Sequence, residues 1–250
     1  MPAFDTGIFV AIGFVAQLVD GALGMAYGLI STSFLLATGT PPAVASASVH
    51  AAEIVTTGLA GGSHVWHRNI DWQLFRRLAP AGVLGGALGA YVLTELPLEI
   101  VKPLVTAYLV GITSLITWRI FTGHPARQIR ALGVAPVAAA GGLLDAIGGG
   151  GWGPIVTSTL VARGEVPRHA VGSASLAEFL VTLSVSAAFI AVLDLGTYWR
   201  AVLGLIIGGA LAAPLAGWFS RKLPQRALMG AVAVVVGCLA IHGLVRLLVE

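Results

Sequence analysis

Apolar residues along the chain form runs of about twenty residues, and short polar segments carrying most of the Arg residues separate them. An α-helix needs about 20 predominantly apolar residues to cross roughly 30 Å of hydrocarbon. Six runs of this kind occur at 43–66, 74–94, 100–121, 170–193, 201–219 and 227–248. The pattern therefore predicts an all-α integral membrane protein.

Two further apolar stretches, 4–37 and 131–162, are interrupted by glycines. Each holds just over thirty residues, which is more than one membrane span needs and fewer than two full spans require. From length alone, each stretch is either one interrupted helix or a re-entrant hairpin of two half-helices.

The chain also contains an internal duplication. Shifting the sequence by 125 positions gives sixteen identities within the forty residues from Leu18 to Thr57, without a gap. Asp20 falls on Asp145 and Glu53 on Glu178, and three glycines and a proline align as well. Apolar bias alone would not align such residue types, so we interpret 1–125 and 126–250 as two repeats of a single membrane domain.

Basic residues favour the hairpin over the interrupted helix, because cytoplasmic loops carry an excess of Lys and Arg. If the broken stretches return to their own side, eleven of the fourteen basic residues share one face, leaving Lys102, Arg200 and Arg246. If they cross, the division is eight to six. With hairpins, each repeat crosses the membrane three times, so the two copies are inverted relative to each other. We therefore expect a cell (inner) membrane protein with both termini outside the cytoplasm.

Composition narrows the class of protein further. The chain is 57% hydrophobic and only 10% charged, whereas soluble domains carry roughly 25% charged residues. A net charge of +3 spread over loops does not indicate nucleic-acid binding, and the single cysteine cannot form an internal disulfide. Gly148-x-Gly150-x-x-Gly153 matches a dinucleotide motif only formally, since no strand precedes it. We expect no cofactor, no metal and no catalytic residues.

Two acids per repeat lie within apolar segments and are candidates for function, because an ionisable group in the membrane is expensive. Asp20 and Asp145 precede the glycine breaks, where an aspartate can cap the second half-helix. Glu53 and Glu178 lie in the middle of a span. They either bond the backbone of the neighbouring hairpin or carry a proton or cation.

The glycines at the breaks suggest an anion site. Backbone without Cβ atoms, at the start of a half-helix, presents N–H groups and a positive dipole end to an anion. Close helix packing is the alternative explanation for glycines at this spacing. The candidate backbone residues are Gly24, Gly28, Gly149, Gly150, Gly151 and Gly153.

Polar and aromatic residues near the breaks complete the candidate site. Ser48 and Ser173 recur at the same place in both repeats, about 140° around the helix from the glutamates. Tyr27 and Trp152 align within the breaks and could close a cavity or simply pack. His50, whose counterpart is Ser175, is a further candidate. Thr57 and Thr182 form a repeated pair that could equally bond neighbouring helices.

Several motifs resemble the TauE/SafE family of sulfite exporter-like membrane proteins. They are Gly13-Phe14-x5-Asp20-Gly21-x2-Gly24, the run Gly-Gly-Gly-Gly-Trp-Gly-Pro at 148–154, and the Pro-x5-Ser-x4-Glu frames around Ser48 and Ser173. In the first repeat, Met25-Ala26-Tyr27 replaces the second repeat's Gly150-Gly151-Trp152. The resemblance implies transport of sulfite, sulfonates or related small anions, commonly as export.

The leading hypothesis is a secondary transporter that moves such an anion by alternating access, with H⁺ or Na⁺ coupled through the two glutamates. A passive small-anion channel is the nearest alternative. An intramembrane enzyme using Asp20 and Asp145 as an acid dyad is a more distant one. The expected partners are a small anionic substrate and the lipid bilayer, with no nucleic acid. The oligomeric state stays open, a homodimer included.

Overall fold

The computed structural model of the chain describes residues 6–23, 25–122, 133–162, 165–193 and 198–222, together with scattered positions between 230 and 248. Within these ranges, the regular structure is helical throughout. The helices are α1 (Thr6–Leu23), α2 (Tyr27–Ala37), α3 (Pro42–Trp66), α4 (Trp72–Glu95), α5 (Leu98–Thr122), α6 (Val134–Gly148), α7 (Ser158–Ala162), α8 (Pro167–Val192) and α9 (Trp199–Lys222). A π-helical turn, Gly153–Thr157, precedes α7 directly.

The long helices lie where the apolar runs predicted them, which confirms an all-helical fold suited to a membrane. By length and composition, the segments Pro42–Trp66, Trp72–Glu95, Glu99–Thr122 and His169–Val192 could each cross a bilayer. α3 and α8 both start with a proline, whose missing N–H is not needed in the first turn. The run at 227–248 falls largely outside the described residues.

The two glycine-broken stretches fold back on themselves, as the hairpin interpretation expects and a continuous interrupted helix does not. The rings of Phe9, near the start of α1, and Phe34, near the end of α2, meet edge to face with centroids 6.5 Å apart. In the second stretch, Trp152 and Val156 lie against Gly141 of α6. Residues before and after each break are therefore neighbours, so α1 and α2 form one hairpin and α6 with the following turn forms another.

The helices of the two repeats pack in a reciprocal way. α4 of the first repeat packs along α6, the first half-helix of the second hairpin, while α9 packs along α1. α3 also packs on α8, its own counterpart. Because α4 corresponds to α9 and α1 to α6, exchanging the two repeats leaves the set of helix neighbours nearly unchanged.

Glycines allow the α4–α6 and α1–α9 pairs to approach closely, as expected for helices that pack in a membrane. On α4, Gly85 faces the backbone of Ala139, and Gly89 faces the backbone of Leu143. On the other pair, a Cβ at Gly13 would lie 2.5 Å from the carbonyl oxygen of Leu205. These helices are therefore in backbone contact, which holds both hairpins firmly against the opposite repeat.

We expect Gly85→Ala to lower thermal stability, because the new Cβ meets the carbonyl of Ala139 and the helices must separate. Overpacking of this kind costs roughly 1–3 kcal/mol. Gly111→Ala on α5 is the matched control, since nothing lies within 4 Å of its added Cβ. Thermal unfolding in detergent, followed by size-exclusion chromatography, measures the difference. Equal stability of the two variants would contradict the close α4–α6 contact.

Candidate functional site

The second hairpin tip lies directly against the first hairpin. A Cβ placed on Gly28 of α2 would come within 2.5 Å of the Gly149 carbonyl oxygen and 2.7 Å of the Gly150 Cα. Thr32, one turn further along α2, donates a hydrogen bond of 2.9 Å to the same carbonyl. The two glycine breaks, which lie 125 positions apart in sequence, are therefore joined at a single point.

The tip needs glycine for both conformation and space. Gly149 ends α6 in the left-handed region, with φ +66° and ψ +41°, which L-residues with a Cβ adopt at a cost. A side chain there would also meet the Thr32 side chain, and one on Gly150 would meet the backbone of Leu29. Residues 149 and 150, where the two hairpins are in contact, therefore need to be glycine.

Each aspartate caps the half-helix that follows its break. Asp20 Oδ1 accepts hydrogen bonds from the N–H groups of Ala26 at 2.8 Å and Tyr27 at 3.2 Å. Asp145 Oδ1 accepts one from the N–H of Trp152 at 2.9 Å. These N–H groups are consequently engaged by a carboxylate of the chain. The sequence predicted free N–H groups at the starts of these half-helices. The three N–H groups bonded to Asp20 and Asp145 are not free to bind an anion.

Asp145 also connects the repeats through His50. Its Oδ2 lies 3.2 Å from His50 Nε2, and both side chains are buried. The other ring nitrogen, Nδ1, lies 2.8 Å from the Ser46 carbonyl oxygen on the preceding turn of α3. Ser46 itself donates a 2.5 Å hydrogen bond to the carbonyl of Ala146. Two polar contacts thus join α3 of the first repeat to the end of α6 in the second.

Glu53 lies beside this junction. Glu53 Oε1 is 2.8 Å from the position of a Cβ on Gly28, so the carboxyl group lies against the point where the tips meet. Asp20, Asp145 and Glu178 are all near enough to act electrostatically on Glu53. The four acids that recur in the two repeats therefore lie within electrostatic range of one another, and we refer to Asp20, Glu53, Asp145 and Glu178 as the acid cluster.

The predicted hydroxyl residues have different surroundings. Ser173 accepts a hydrogen bond from the Asp71 N–H and donates one to its carbonyl, at the start of α4. Thr57 donates to the Glu53 carbonyl at 2.5 Å. The hydroxyls of Ser48 and Thr182 are buried and have no hydrogen-bond partner within the described residues. Ser48 thus has an available hydroxyl, whereas that of Ser173 is satisfied by the backbone.

The paired aromatics are held by polar contacts on their far ends. The Tyr27 hydroxyl donates to the Leu205 carbonyl at 2.9 Å, and Trp152 Nε1 donates to the Ala174 carbonyl at 3.1 Å. Both side chains are buried, and the Trp152 ring lies against Gly82 of α4. Each aromatic side chain thus contacts the opposite repeat, Tyr27 through Leu205 and Trp152 through Gly82.

The remaining tip glycines divide into three cases. Gly24 lies outside the described residues, and Gly153 begins the π-helical turn. Gly150 and Gly151 are buried, and no hydrogen bond within the described part of the chain uses their N–H groups. A buried N–H without a partner costs free energy comparable to a lost hydrogen bond, so these two groups are suited to a ligand.

Three further residues contribute to the site that sequence reasoning did not single out: Thr32, Ser46 and Tyr108. Thr32 carried a signal, because it aligns with Thr157 of the second repeat. Ser46 and Tyr108 carried none, since neither is repeated. Tyr108 of α5 is buried, and its ring covers Gly148 at the end of α6. Among the described residues, no group of three or more His, Cys, Asp or Glu could hold a metal ion.

Comparison with known proteins shows the family of the chain. The profile of the family described as sulfite exporter TauE/SafE matches residues 9–243, nearly the whole chain. The chain belongs to the TauE/SafE family. It is 42% identical over 234 residues to the probable membrane transporter protein YtnM of Bacillus subtilis (strain 168). The alignment covers 89% of this chain and 77% of that relative. No solved structure matches it significantly.

Family membership and the apolar helices identify this TauE/SafE chain as a multi-pass membrane transporter. A transporter needs a small-molecule substrate and a bilayer as its partners. The family and the relative are both described as transporters, which points away from the enzyme alternative.

Proposed function

We propose that this protein is a secondary transporter that exports a small sulfur-containing anion, such as sulfite or an organosulfonate, by alternating access. The observation that carries the proposal is the meeting of the Gly149–Gly150 backbone with Gly28 beside the acid cluster. Secondary transporters bind substrate at the interface of two repeats, where helices are broken. The family is that of the sulfite exporter TauE/SafE, which supports the choice of anion.

The repeats 1–125 and 126–250 are, in this proposal, inverted about the plane of an inner membrane, each a re-entrant hairpin followed by three spans. The reciprocal packing of α4 on α6 and α9 on α1 supports the exchange of the two copies. The eleven-to-three distribution of basic residues supports an odd number of crossings and non-cytoplasmic termini. Rocking of one repeat against the other would expose the junction to each side in turn.

Recognition of the anion would fall to the tip backbone and nearby hydroxyls. The N–H groups of Gly150 and Gly151 and the hydroxyl of Ser48 are candidate donors, since none of them has a partner in the described structure. An oxyanion is a strong acceptor, and hydrogen bonds to a charged group are worth about 1.5–3 kcal/mol each. Tyr27 and Trp152 would support the site by holding the tips in place.

Coupling follows from the acids at the same junction. An anion held beside ionised Glu53 would be repelled, because like charges at close range in a low-dielectric site interact strongly. Binding a proton or Na⁺ at Glu53 or Glu178 removes this repulsion. Cation and anion would thus bind together and cross in the same direction, so the anion is exported when its own outward gradient exceeds the inward gradient of the cation.

The test is accumulation of sulfite in proteoliposomes against its own gradient when an inward proton gradient is imposed. We expect accumulation by wild-type protein and loss of proton-driven accumulation in Glu53→Gln, which cannot bind a proton. Exchange of labelled for unlabelled sulfite should continue in this variant. Glu95→Gln, at an exposed position at the end of α4, is the matched control.

Two outcomes would overturn parts of the proposal. Sulfite flux that dissipates gradients but never builds one would indicate the passive channel. Full proton-driven accumulation by Glu53→Gln, with the same yield as Glu95→Gln, would remove Glu53 from coupling. Repeating the assay with a Na⁺ gradient and with methanesulfonate separates the coupling ions and the two substrate classes.

A further inference from the structure

We propose that Tyr108 of α5 is a substrate-binding residue, whose hydroxyl donates a hydrogen bond to the oxyanion at the second hairpin tip. This inference rests on the proposed transport function and specifies its binding site. The site is then asymmetric, because the second repeat contributes its hairpin tip and the first repeat contributes a tyrosine.

The geometry places the hydroxyl at the tip. The Tyr108 ring covers Gly148, where any Cβ would collide with it, so this position of the ring requires glycine at 148. From this position Oη reaches the next part of the turn and lies 3.1 Å from where a Cβ on Gly151 would be. The hydroxyl therefore borders the backbone whose N–H groups lack partners.

The hydroxyl is also buried without a partner. Tyr108 is only 8% exposed, and its oxygen makes no hydrogen bond within the described residues. Buried tyrosine hydroxyls usually find one, because an unsatisfied polar group costs about 1–3 kcal/mol. The Tyr27 hydroxyl shows the ordinary solution in the same protein, a bond to the Leu205 carbonyl. An unused donor at this depth is best explained by a ligand that accepts from it.

The surrounding charges limit which ligand fits. Glu53 and Asp145 lie within electrostatic range of Tyr108, so a ligand bound here lies near carboxyl groups. Asp145 is already occupied by the Trp152 N–H and His50. A small head group with several oxygen acceptors can bridge the Tyr108 hydroxyl and the N–H groups of Gly150 and Gly151 at once. Sulfite and sulfonate groups have this shape, because each carries three oxygens that can accept from different donors.

The sequence of the second repeat lacks a counterpart of Tyr108. Its last apolar run, 227–248, contains no tyrosine, and its tip sequence differs from that of the first repeat. The first tip carries Met25 and Ala26 where the second has Gly150 and Gly151. Both asymmetries favour the second tip as the place where the anion is held.

Tyr108→Phe tests the hydroxyl alone, since the ring that covers Gly148 is retained. We expect sulfite and methanesulfonate to bind about 10- to 100-fold more weakly, as for loss of one hydrogen bond to a charged group. Calorimetry on purified protein measures the affinity. Tyr91→Phe, which removes a hydroxyl from an exposed residue on α4, is the matched control and should bind as wild type does.

A second measurement uses protein that keeps Tyr108. Incorporating 3-fluorotyrosine labels the four tyrosines, and the resonance missing in Tyr108→Phe identifies position 108. Saturating sulfite should shift this fluorine resonance with the same affinity that calorimetry gives. The Tyr91 resonance should not move.

The outcomes separate the two proposals. Wild-type affinity in Tyr108→Phe, or an unmoved Tyr108 resonance at saturating sulfite, overturns the role of Tyr108 while transport by the protein stands. If wild-type protein neither binds nor transports sulfite or methanesulfonate, the proposed function itself fails.

Discussion

Alanine in place of Gly28 is expected to reduce sulfite transport by at least tenfold while leaving an assembled membrane protein. The added methyl group would meet the Gly149 carbonyl, the Gly150 Cα and Glu53 Oε1, all within 2.8 Å. Two of these are backbone atoms and the third belongs to a side chain that is only 5% exposed, so none can move away easily. The second tip must therefore move away from α2.

The effect should be larger on transport than on stability. Overpacking costs roughly 1–3 kcal/mol, but the displaced atoms are those proposed to bind the anion. Gly62→Ala on α3 is the control, because nothing lies within 4 Å of its Cβ. Initial rates in proteoliposomes, at matched reconstitution, measure the difference. Transport equal to that of Gly62→Ala would show that the contact between the tips is not needed for function.

Much of the helical framework follows from the sequence because it depends on local physics. Apolar length predicted α3, α4, α5, α8 and α9 to within a few residues of their observed ends. The choice of a hairpin over an interrupted helix came from loop charge, and the contact between Phe9 and Phe34 agrees with it. Neither inference needed knowledge of long-range contacts.

The site was less predictable because it joins unlike parts of the two repeats. Comparing the repeats identified Asp20, Asp145, Glu53 and Glu178, which occur in both. It could not identify Tyr108, whose role depends on one repeat touching the other's tip. His50 was found only as an isolated titratable residue, and its partner Asp145 is 95 positions away.

Ser173 shows what a comparison of the two repeats leaves open. Its position matches that of Ser48, so both were predicted to face the anion. The structure instead uses its hydroxyl for the backbone of Asp71, 102 positions earlier in the chain. Which hydroxyls are occupied is decided by tertiary contacts, and sequence alone has no record of them.

Asp145→Ala is expected to have the largest effect on folding of any single side-chain truncation at the site. Its two carboxylate oxygens serve different partners, the Trp152 N–H at 2.9 Å and His50 Nε2 at 3.2 Å. The residue is only 2% exposed, so water cannot replace the lost acceptor. Leaving two buried polar groups unsatisfied costs about 1–3 kcal/mol for each. We expect a large fall in thermal stability and in the yield of monodisperse protein.

Two companion variants separate the possible reasons for such a fall. Asp71→Ala removes a comparable cap, with bonds to the Gln73 and Leu74 N–H groups, but at a more accessible helix start where water can substitute. It should cost only about 1 kcal/mol. Asp145→Asn keeps an acceptor for Trp152 and a hydrogen-bonding group for His50, and should fold much better than Asp145→Ala. Transport by Asp145→Asn then reports on the charge alone, because the cap that orients the second tip is still present.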